Sequence, residues 1–280
     1  MLILKSRQEL TDFVQSIRAK RLTIGFVPTM GALHEGHLFL IKKAIEENQY
    51  TLCSIFVNPT QFNNSADLEK YPRTEETDIK KLESAGCDAV YLPKVEDMYP
   101  SGFENDPIDL GGLDSVMEGA FRPGHFQGMA TVVKRLLLQT QPTKAYFGEK
   151  DFQQLQIIRQ MVRNEKLPVE IIGVPIVREE SGLAMSSRNM RLSPEFKERS
   201  VFIYHTLLKA KELSSQLSPQ QIISEVEKIY SNSDFKLEYF TIAEEKTLQT
   251  HDKFEENSRY RAFVAAFAGE IRLIDNIQIR

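Results

Sequence analysis

Between Met1 and Val177, short apolar runs alternate with helical patterns, and this alternation constrains the fold more than any single motif. Leu22-Thr23-Ile24-Gly25-Phe26-Val27, Thr51-Leu52-Cys53-Ser54-Ile55-Phe56-Val57, Asp88-Ala89-Val90-Tyr91-Leu92, Lys144-Ala145-Tyr146-Phe147 and the run from Val169 to Val177 read as buried strands. Between and after them come helical patterns over Leu38–Ile45, Glu75–Ser84, Met129–Leu138 and Phe152–Asn164. Upstream, Ser6 and Glu9 form a capping box for a helix whose stripe is Leu10, Phe13, Val14 and Ile17. Strands separated by helices are parallel strands with crossovers, so residues 1–177 are expected to form an α/β, Rossmann-like parallel sheet domain. In such sheets ligands bind beyond the carboxyl ends of the strands, so chemistry is sought in the bends that follow them.

The first bend is Pro28-Thr29-Met30-Gly31-Ala32-Leu33-His34-Glu35-Gly36-His37. It opens a helix, whose unsatisfied N–H groups and dipole favour an anion. Gly31 and Gly36 remove side chains where a ligand approaches the backbone. His34 and His37 share one face if the helix includes both, well placed to grip phosphate oxygens and follow charge onto a leaving group. The same pair also reads as a surface feature or as half a metal site, although no HExxH pattern or cysteine cluster completes one. The second bend carries Asn58 and Gln61, directed to the same sheet edge as His34; a substrate contact and a solvated loop are both open for Gln61.

Gly148-Glu149-Lys150-Asp151 is another strand-to-helix junction, and Lys150, Asp151 and Gln154 face one side if the helix begins near Lys150. The helix dipole does not favour a cation there, so Lys150 is either incidental or kept for an anionic ligand. After the strand ending at Val177, the loop Arg178–Asn189 supplies Ser186, Ser187 and Arg188, which suits phosphate oxygens or, alternatively, a solvated loop. Residues 93–127 are rich in Pro, Gly and Asp without periodicity, and Phe121-Arg122-Pro123-Gly124-His125-Phe126 within them reads equally as a site or as a structural turn.

From Ser193 the pattern changes. Ser193-Pro194 and Ser218-Pro219 are helix starts, and Leu237–Ile242, Arg261–Phe267 and Ile271–Ile274, with a turn at Ala268-Gly269-Glu270, read as an antiparallel meander. Residues 178–280 are therefore expected to form a smaller α+β domain with an antiparallel sheet, closing over the site. The formal charge of −4 and a pI near 5.9 give no footprint for non-specific nucleic-acid binding. The two cysteines, Cys53 and Cys87, match no metal or redox pattern and are expected as buried free thiols, which suits a reducing cytoplasm. No signal-peptide pattern and no apolar run long enough to span a membrane is present, so the Asn63-Asn64-Ser65 sequon is not expected to be glycosylated, and neither nucleic acid nor membrane is an expected partner.

Six stretches together resemble the pantoate–β-alanine ligase (pantothenate synthetase) family, of the HxGH nucleotidyltransferase superfamily. They are Pro28–His37, Phe56–Phe62, Tyr71-Pro72-Arg73-Thr74, Phe121–Phe126, Phe147–Leu155 and Met185–Asn189, all in the family's order. Residue 60 is Thr where many relatives have Met. The resemblance implies ATP over Met30, Gly31, Ala32, Leu33, His34, Glu35, Gly36 and His37, with Gly148, Glu149, Lys150, Asp151 and Val177 contributing and Met185, Ser186, Ser187 and Arg188 closing over the phosphates. It implies Gln61 and Gln154, with Met30 and Asn58, around pantoate, and His37 as the proton donor. It further implies Mg²⁺, with Asp78 near the acidic residues that hold it, and a homodimer.

The residues themselves agree with that chemistry. A carboxylate attacking the α-phosphate of ATP needs alignment and charge stabilisation, which His34, His37, Lys150, Ser186, Ser187 and Arg188 are suited to supply. No general base for the amine of a second step is assignable. Rival readings are a nucleotidylyltransferase that adenylates a small phosphate-bearing substrate, a fragment of a tRNA-charging enzyme, and a non-catalytic nucleotide sensor.

Overall fold

Among the described residues six strands answer the alternation, all parallel. β1 (Leu2–Leu4), β2 (Ile24–Thr29), β3 (Tyr50–Ile55), β4 (Ala89–Tyr91), β5 (Lys144–Gly148) and β6 (Glu170–Val174) form one sheet in the order β1-β4-β3-β2-β5-β6. The computed structural model describes residues 1–62, 68–69, 71–102 and 106–280. The Asn63-Asn64-Ser65 sequon lies outside them.

The strands are apolar on both sides of the pleat because helices cover both faces. α2 (Glu35–Glu47) and α3 (Glu75–Ser84) cover one, with Ile41 and Leu82 packed among Val27, Cys53, Val90 and Tyr146. α1 (Arg7–Ala19) packs against α4 (His125–Thr140), which lies on β2. The Ser6–Glu9 capping box forms, and Leu10, Phe13, Val14 and Ile17 are the buried residues of α1. β2 sits between β3 and β5, so the chain leaves it in one direction and returns on its other side. That reversal opens a crevice at the carboxyl ends of β2 and β5, where the first and third bends emerge.

The described chain divides into two compact units: Met1–Glu149 with Gln154–Pro175, and Lys150–Gln153 with Ile176–Arg280. In the second unit β7 (Phe235–Glu244), β8 (Tyr260–Ala268) and β9 (Ile271–Gln278) form the antiparallel meander, in the order β7-β8-β9. Gly269 takes a φ of +60° in the tight β8–β9 turn, a conformation that penalises any side chain. Alternate residues of β8 (Tyr260, Ala262, Val264, Ala266 and Ala268) pack on α6 (Val201–Leu213) and α7 (Pro219–Ser231). The opposite face presents Arg261 and Phe263, and both meet Phe152.

Several boundaries differ from the sequence reading for identifiable reasons. β2 begins later than expected and runs through Pro28 to Thr29, because its pairing with β3 continues to Thr29 while its pairing with β5 covers only Gly25 and Phe26. α4 begins at His125, four residues earlier than expected, with Gly124 at φ +79° as its N-cap; part of the Phe121–Phe126 segment is therefore helix. β1 is too short to show periodicity, and α6 follows a break at Ser200 that apolar spacing does not mark. Cys53 and Cys87 are buried free thiols, as expected.

Candidate active site

α2 starts at Glu35, so the two histidines do not share a helical face in the expected way. His34 is the N-cap and His37 lies in the first turn. They cap one another's backbone: His34 Nδ1 accepts from Gly36 N at 3.2 Å, and His37 Nδ1 accepts from His34 N at 3.3 Å. A ring nitrogen that accepts carries no proton, so both rings hold their proton on Nε2 and present it as a donor. The ring centroids are 4.0 Å apart. Two N–H donors therefore stand close together at a helix N-terminus, an arrangement chemically suited to an anion and to charge developing on one.

The loop before them is held by α3. Gly31 and Ala32 both adopt positive φ, +83° and +50°, and Ala32 does so at a steric cost. Asp78 secures that conformation: its Oδ2 accepts from Ala32 N at 2.9 Å and its Oδ1 from Leu33 N at 2.8 Å. Lys81, one turn along the same face of α3, donates to Leu33 O at 2.5 Å. A Cβ on Gly31 would stand 3.1 Å from Asp78 Oδ2, so glycine lets the carboxylate close in. Thr74 Oγ1 also donates to Asp78 Oδ2, at 3.1 Å. Asp78 is fully buried, and a metal bound to it would share oxygens already engaged by three donors. Among the described residues no three His, Cys, Asp or Glu side chains gather into a metal-binding group.

The bend after β3 is a single 3₁₀ turn, Pro59–Gln61. Asn58 is buried beneath it: Oδ1 accepts from Tyr99 Oη at 2.6 Å and Thr60 Oγ1 at 3.2 Å, while Nδ2 donates to Gly128 O at 3.1 Å. Any Cβ at Gly128 would fall 2.3 Å from Thr60 O, so α4 carries glycine where the turn crosses it. His125 Nδ1 lies 2.7 Å from Gln61 O. The turn that presents Gln61 is thus fixed from both ends, while Gln61 itself stays partly exposed. Burial raises the Tyr99 hydroxyl above its ordinary range, which keeps it a donor to Asn58.

After β5 the chain makes a 3₁₀ turn, Glu149–Asp151, before α5 (Phe152–Asn164) begins, so Lys150 and Asp151 precede the helix proper and Gln154 lies in its first turn. Lys150 is largely buried, with Nζ 3.9 Å from Asp151 Oδ1. Lys150, Val177 and Met185–Arg188 belong to the second unit; Gly148, Glu149 and Gln154 belong to the first. Residues 177–185 form a hairpin, closed by Met185 N donating to Val177 O at 3.0 Å and Glu179 N to Leu183 O at 2.8 Å. Ser186 then N-caps the 3₁₀ helix Ser187–Arg191, accepting from Arg188 N. Asn189 ties that helix to the hairpin through Glu179 and Ala184, each at 3.1 Å. Burial pushes the Cys87 thiol up to about 12 and lifts Cys53 well above its ordinary value, so neither is a thiolate nucleophile.

The anchoring roles of Asp78, Lys81, Tyr99 and His125 were not apparent in the sequence. Each acts on a partner distant in the chain, and neither periodicity nor local motif carries such a pairing.

Residues 2–278 match the Pantoate-beta-alanine ligase family. The pantothenate synthetase of Flavobacterium psychrophilum is 46% identical over 282 residues, covering 100% of both chains. The crystal structure of pantothenate synthetase from Thermus thermophilus superposes with a TM-score of 0.91 at 43% identity, covering 100% of this chain and 99% of that one. Pantoate-beta-alanine ligase from Francisella tularensis, crystallised in complex with beta-gamma ATP and beta-alanine, superposes with a TM-score of 0.82 at 38% identity over 100% of this chain and 98% of its own.

Proposed function

The chain belongs to the pantoate–β-alanine ligase family, and from that premise we propose that it condenses pantoate with β-alanine at the expense of ATP, through a pantoyl-adenylate. The observation that carries the reading is the reciprocal His34–His37 cap, with both Nε2–H donors at the N-terminus of α2. In the first step a pantoate carboxylate oxygen bonds to the α-phosphorus of ATP, the bond to the bridging oxygen breaks, and pyrophosphate leaves with the electron pair. The two imidazoles stabilise negative charge as it develops on the phosphates, and His37 is the donor assigned to the leaving group. Lys150, Ser186, Ser187 and Arg188 are assigned to the phosphates as fixed cation and neutral donors. Met30–His37, with Gly148–Asp151, Val177 and Met185, make up the remaining nucleotide contacts.

Gln61, Gln154 and Met30 are assigned to pantoate, with Asn58 holding the Gln61 turn. In the second step the neutral amine of β-alanine attacks the acyl carbon, AMP departs, and the amide nitrogen loses a proton. Positioning suffices for this step, since a mixed anhydride is already activated. Neither buried thiol provides a route through an acyl-enzyme. Mg²⁺ is proposed as the companion of the ATP phosphates, where it neutralises charge on them. The described side chains do not fit a metal held by the protein alone, and no step here depends on one.

A homodimer is proposed on family grounds, and a cytoplasmic location on the two free thiols. No helix among the described residues is long and apolar enough to cross a membrane. The deciding experiment is pyrophosphate exchange. With pantoate, ATP and Mg²⁺ but no β-alanine, labelled pyrophosphate is expected to enter ATP, and β-alanine to divert the intermediate to amide and AMP. Normal turnover without exchange removes the reversible adenylation step, and a dinucleotide-type product replaces the reading with nucleotidyl transfer.

A further inference from the structure

Two adjacent residues of the last strand, Asp275 and Asn276, hold the two elements of the second unit that carry the proposed phosphate contacts. Successive residues on a strand point to opposite faces. Asp275 pairs across the ladder with Val264, on the face covered by α6 and α7, and Asn276 pairs with Phe263, on the face that meets Phe152. One strand step therefore reaches both elements, one from each side of the sheet.

On the helix-covered face, the Asp275 carboxylate accepts from Arg178 Nη1 at 2.6 Å and Nη2 at 3.0 Å. This fork fixes orientation as well as distance. Arg178 stacks over the Tyr204 ring, 3.9 Å from its centroid, and donates to Gly182 O at 3.1 Å. Arg178 also forms the bridge with Ala184 that sets the base of the 177–185 hairpin, and the Met185–Arg188 segment continues directly from it. On the other face, Asn276 Nδ2 donates to Lys150 O at 2.8 Å, while its Oδ1 accepts from Arg261 Nη1 at 2.6 Å. Arg261 is itself held by Glu245 at 2.8 Å and lies over Phe152, 4.0 Å from the ring centroid.

A strand that served only to complete the meander would be expected to carry apolar residues here, as it does at Leu273 and Ile277. Instead it buries a carboxylate and a carboxamide, at 4% and 2% exposure, and burying polar groups costs free energy unless their partners are held in place. We infer that Asp275 and Asn276 are positioning residues for the adenylation step: Asp275 sets the hairpin that carries Ser186, Ser187 and Arg188, and Asn276 sets the backbone of Lys150. The inference rests on the reading that Lys150 and Met185–Arg188 hold the phosphates of ATP.

The test uses the full chain with Asp275→Asn and Asn276→Ala, and with Leu273→Ala as a purely structural comparison. Amide exchange is expected to quicken over residues 178–189 in Asp275→Asn and over residues 150–153 in Asn276→Ala, each without the other. In pyrophosphate exchange, kcat/KM for ATP is expected to fall on the order of 10-fold to 100-fold in both, the scale of a misplaced catalytic group, while the KM for pantoate stays unmoved. Leu273→Ala lowers stability without that split between the substrates. Should Asp275→Asn fail to fold, Arg178→Lys keeps the charge and loses the fork, and the same local loosening is expected. Wild-type exchange at both segments overturns the inference, as does a parallel change in ATP and pantoate parameters. Lys150→Ala and Arg188→Ala separate the two levels. If both leave ATP kinetics intact, the phosphate assignment fails and the inference falls with it; if they impair adenylation while the Asp275 and Asn276 variants do not, the inference alone fails.

Discussion

The two units fix the loops proposed to meet the ATP phosphates by different means. In the first, the Asp78 carboxylate bonds directly to the backbone N–H groups of Ala32 and Leu33. In the second, the Asp275 carboxylate bonds to a side chain, Arg178, which orients the hairpin that follows. A carboxylate on the backbone dictates φ and ψ, and Gly31 and Ala32 are held at positive φ as a result. A carboxylate on a guanidinium places a preformed hairpin as a block. The first device suits a loop whose own N–H groups are taken up internally and which must set two imidazoles at a helix start. The second suits a loop whose chemistry is all in its side chains.

The sharpest break in this comparison comes from removing the group that the first device presents. His37→Ala is expected to cut adenylation by 10²–10³, equivalent to about 2.7–4 kcal/mol, because a donor to developing charge acts mainly in the transition state. ATP binding weakens less. Rapid-quench measurement of AMP formation against ATP titration separates the two, and unchanged turnover takes His37 out of the mechanism.

Next in size is the device itself. Asp78→Ala leaves two buried N–H groups, on Ala32 and Leu33, without their acceptor, at about 1–3 kcal/mol for each group left unsatisfied. Urea unfolding should show that loss, and the KM for ATP should rise with it. Asp78→Asn keeps one acceptor and is expected to recover part of both. If Asp78→Ala instead leaves ATP kinetics and stability at wild-type values, the loop is held by something other than this carboxylate.

These pairings also mark where the sequence stops being legible. The strand and helix alternation, the meander and the Ser6–Glu9 cap were readable because their signals are local: periodicity, a capping pair, a glycine at a turn. The His34–His37 pair was readable as standing at a helix start, although its detail was not, since the histidines cap one another instead of lining a helical face. Asp78 was visible only as an acidic residue in a helix, 45 residues from the backbone it grips. Asp275 and Asn276 sit in a stretch that reads simply as strand, 97 and 126 residues from their partners. Contacts of that range are set by topology, and a single chain carries no local mark of them.

A smaller effect is expected at the substrate side of the first unit. Gln154, in the first turn of α5, is assigned to pantoate, and Gln154→Ala should raise the KM for pantoate roughly 10-fold, the scale of one hydrogen bond to a charged group. The KM for ATP should move less. A change confined to ATP would transfer Gln154 to the nucleotide.

The smallest expected effect concerns the far end of α2 and asks whether its anchoring is carboxylate-based throughout. Glu47, the last residue of the helix, accepts from Lys144 Nζ at 2.9 Å and Tyr146 Oη at 3.0 Å on β5, and from Lys43 Nζ at 3.0 Å within α2. These donors, Lys144 first, hold its carboxyl down at about 2, against an ordinary 4.5. The folded-state value lies below the unfolded one, so the unfolded chain takes up the proton first. The stabilisation is therefore complete above about pH 4.5 and is lost as pH falls through about 2. Glu47→Gln lacks this titration. Its stability should sit slightly below wild type at neutral pH, and the two curves should converge on acidification. Because the pair is partly exposed, salt should shrink the difference at neutral pH as well. Denaturant midpoints taken from pH 7 down to pH 2 in low and high salt measure both. Curves that stay parallel across that range would mean that Glu47 contributes by packing or by a neutral hydrogen bond, and that the carboxylate device of the first unit is confined to the Asp78 end of α2.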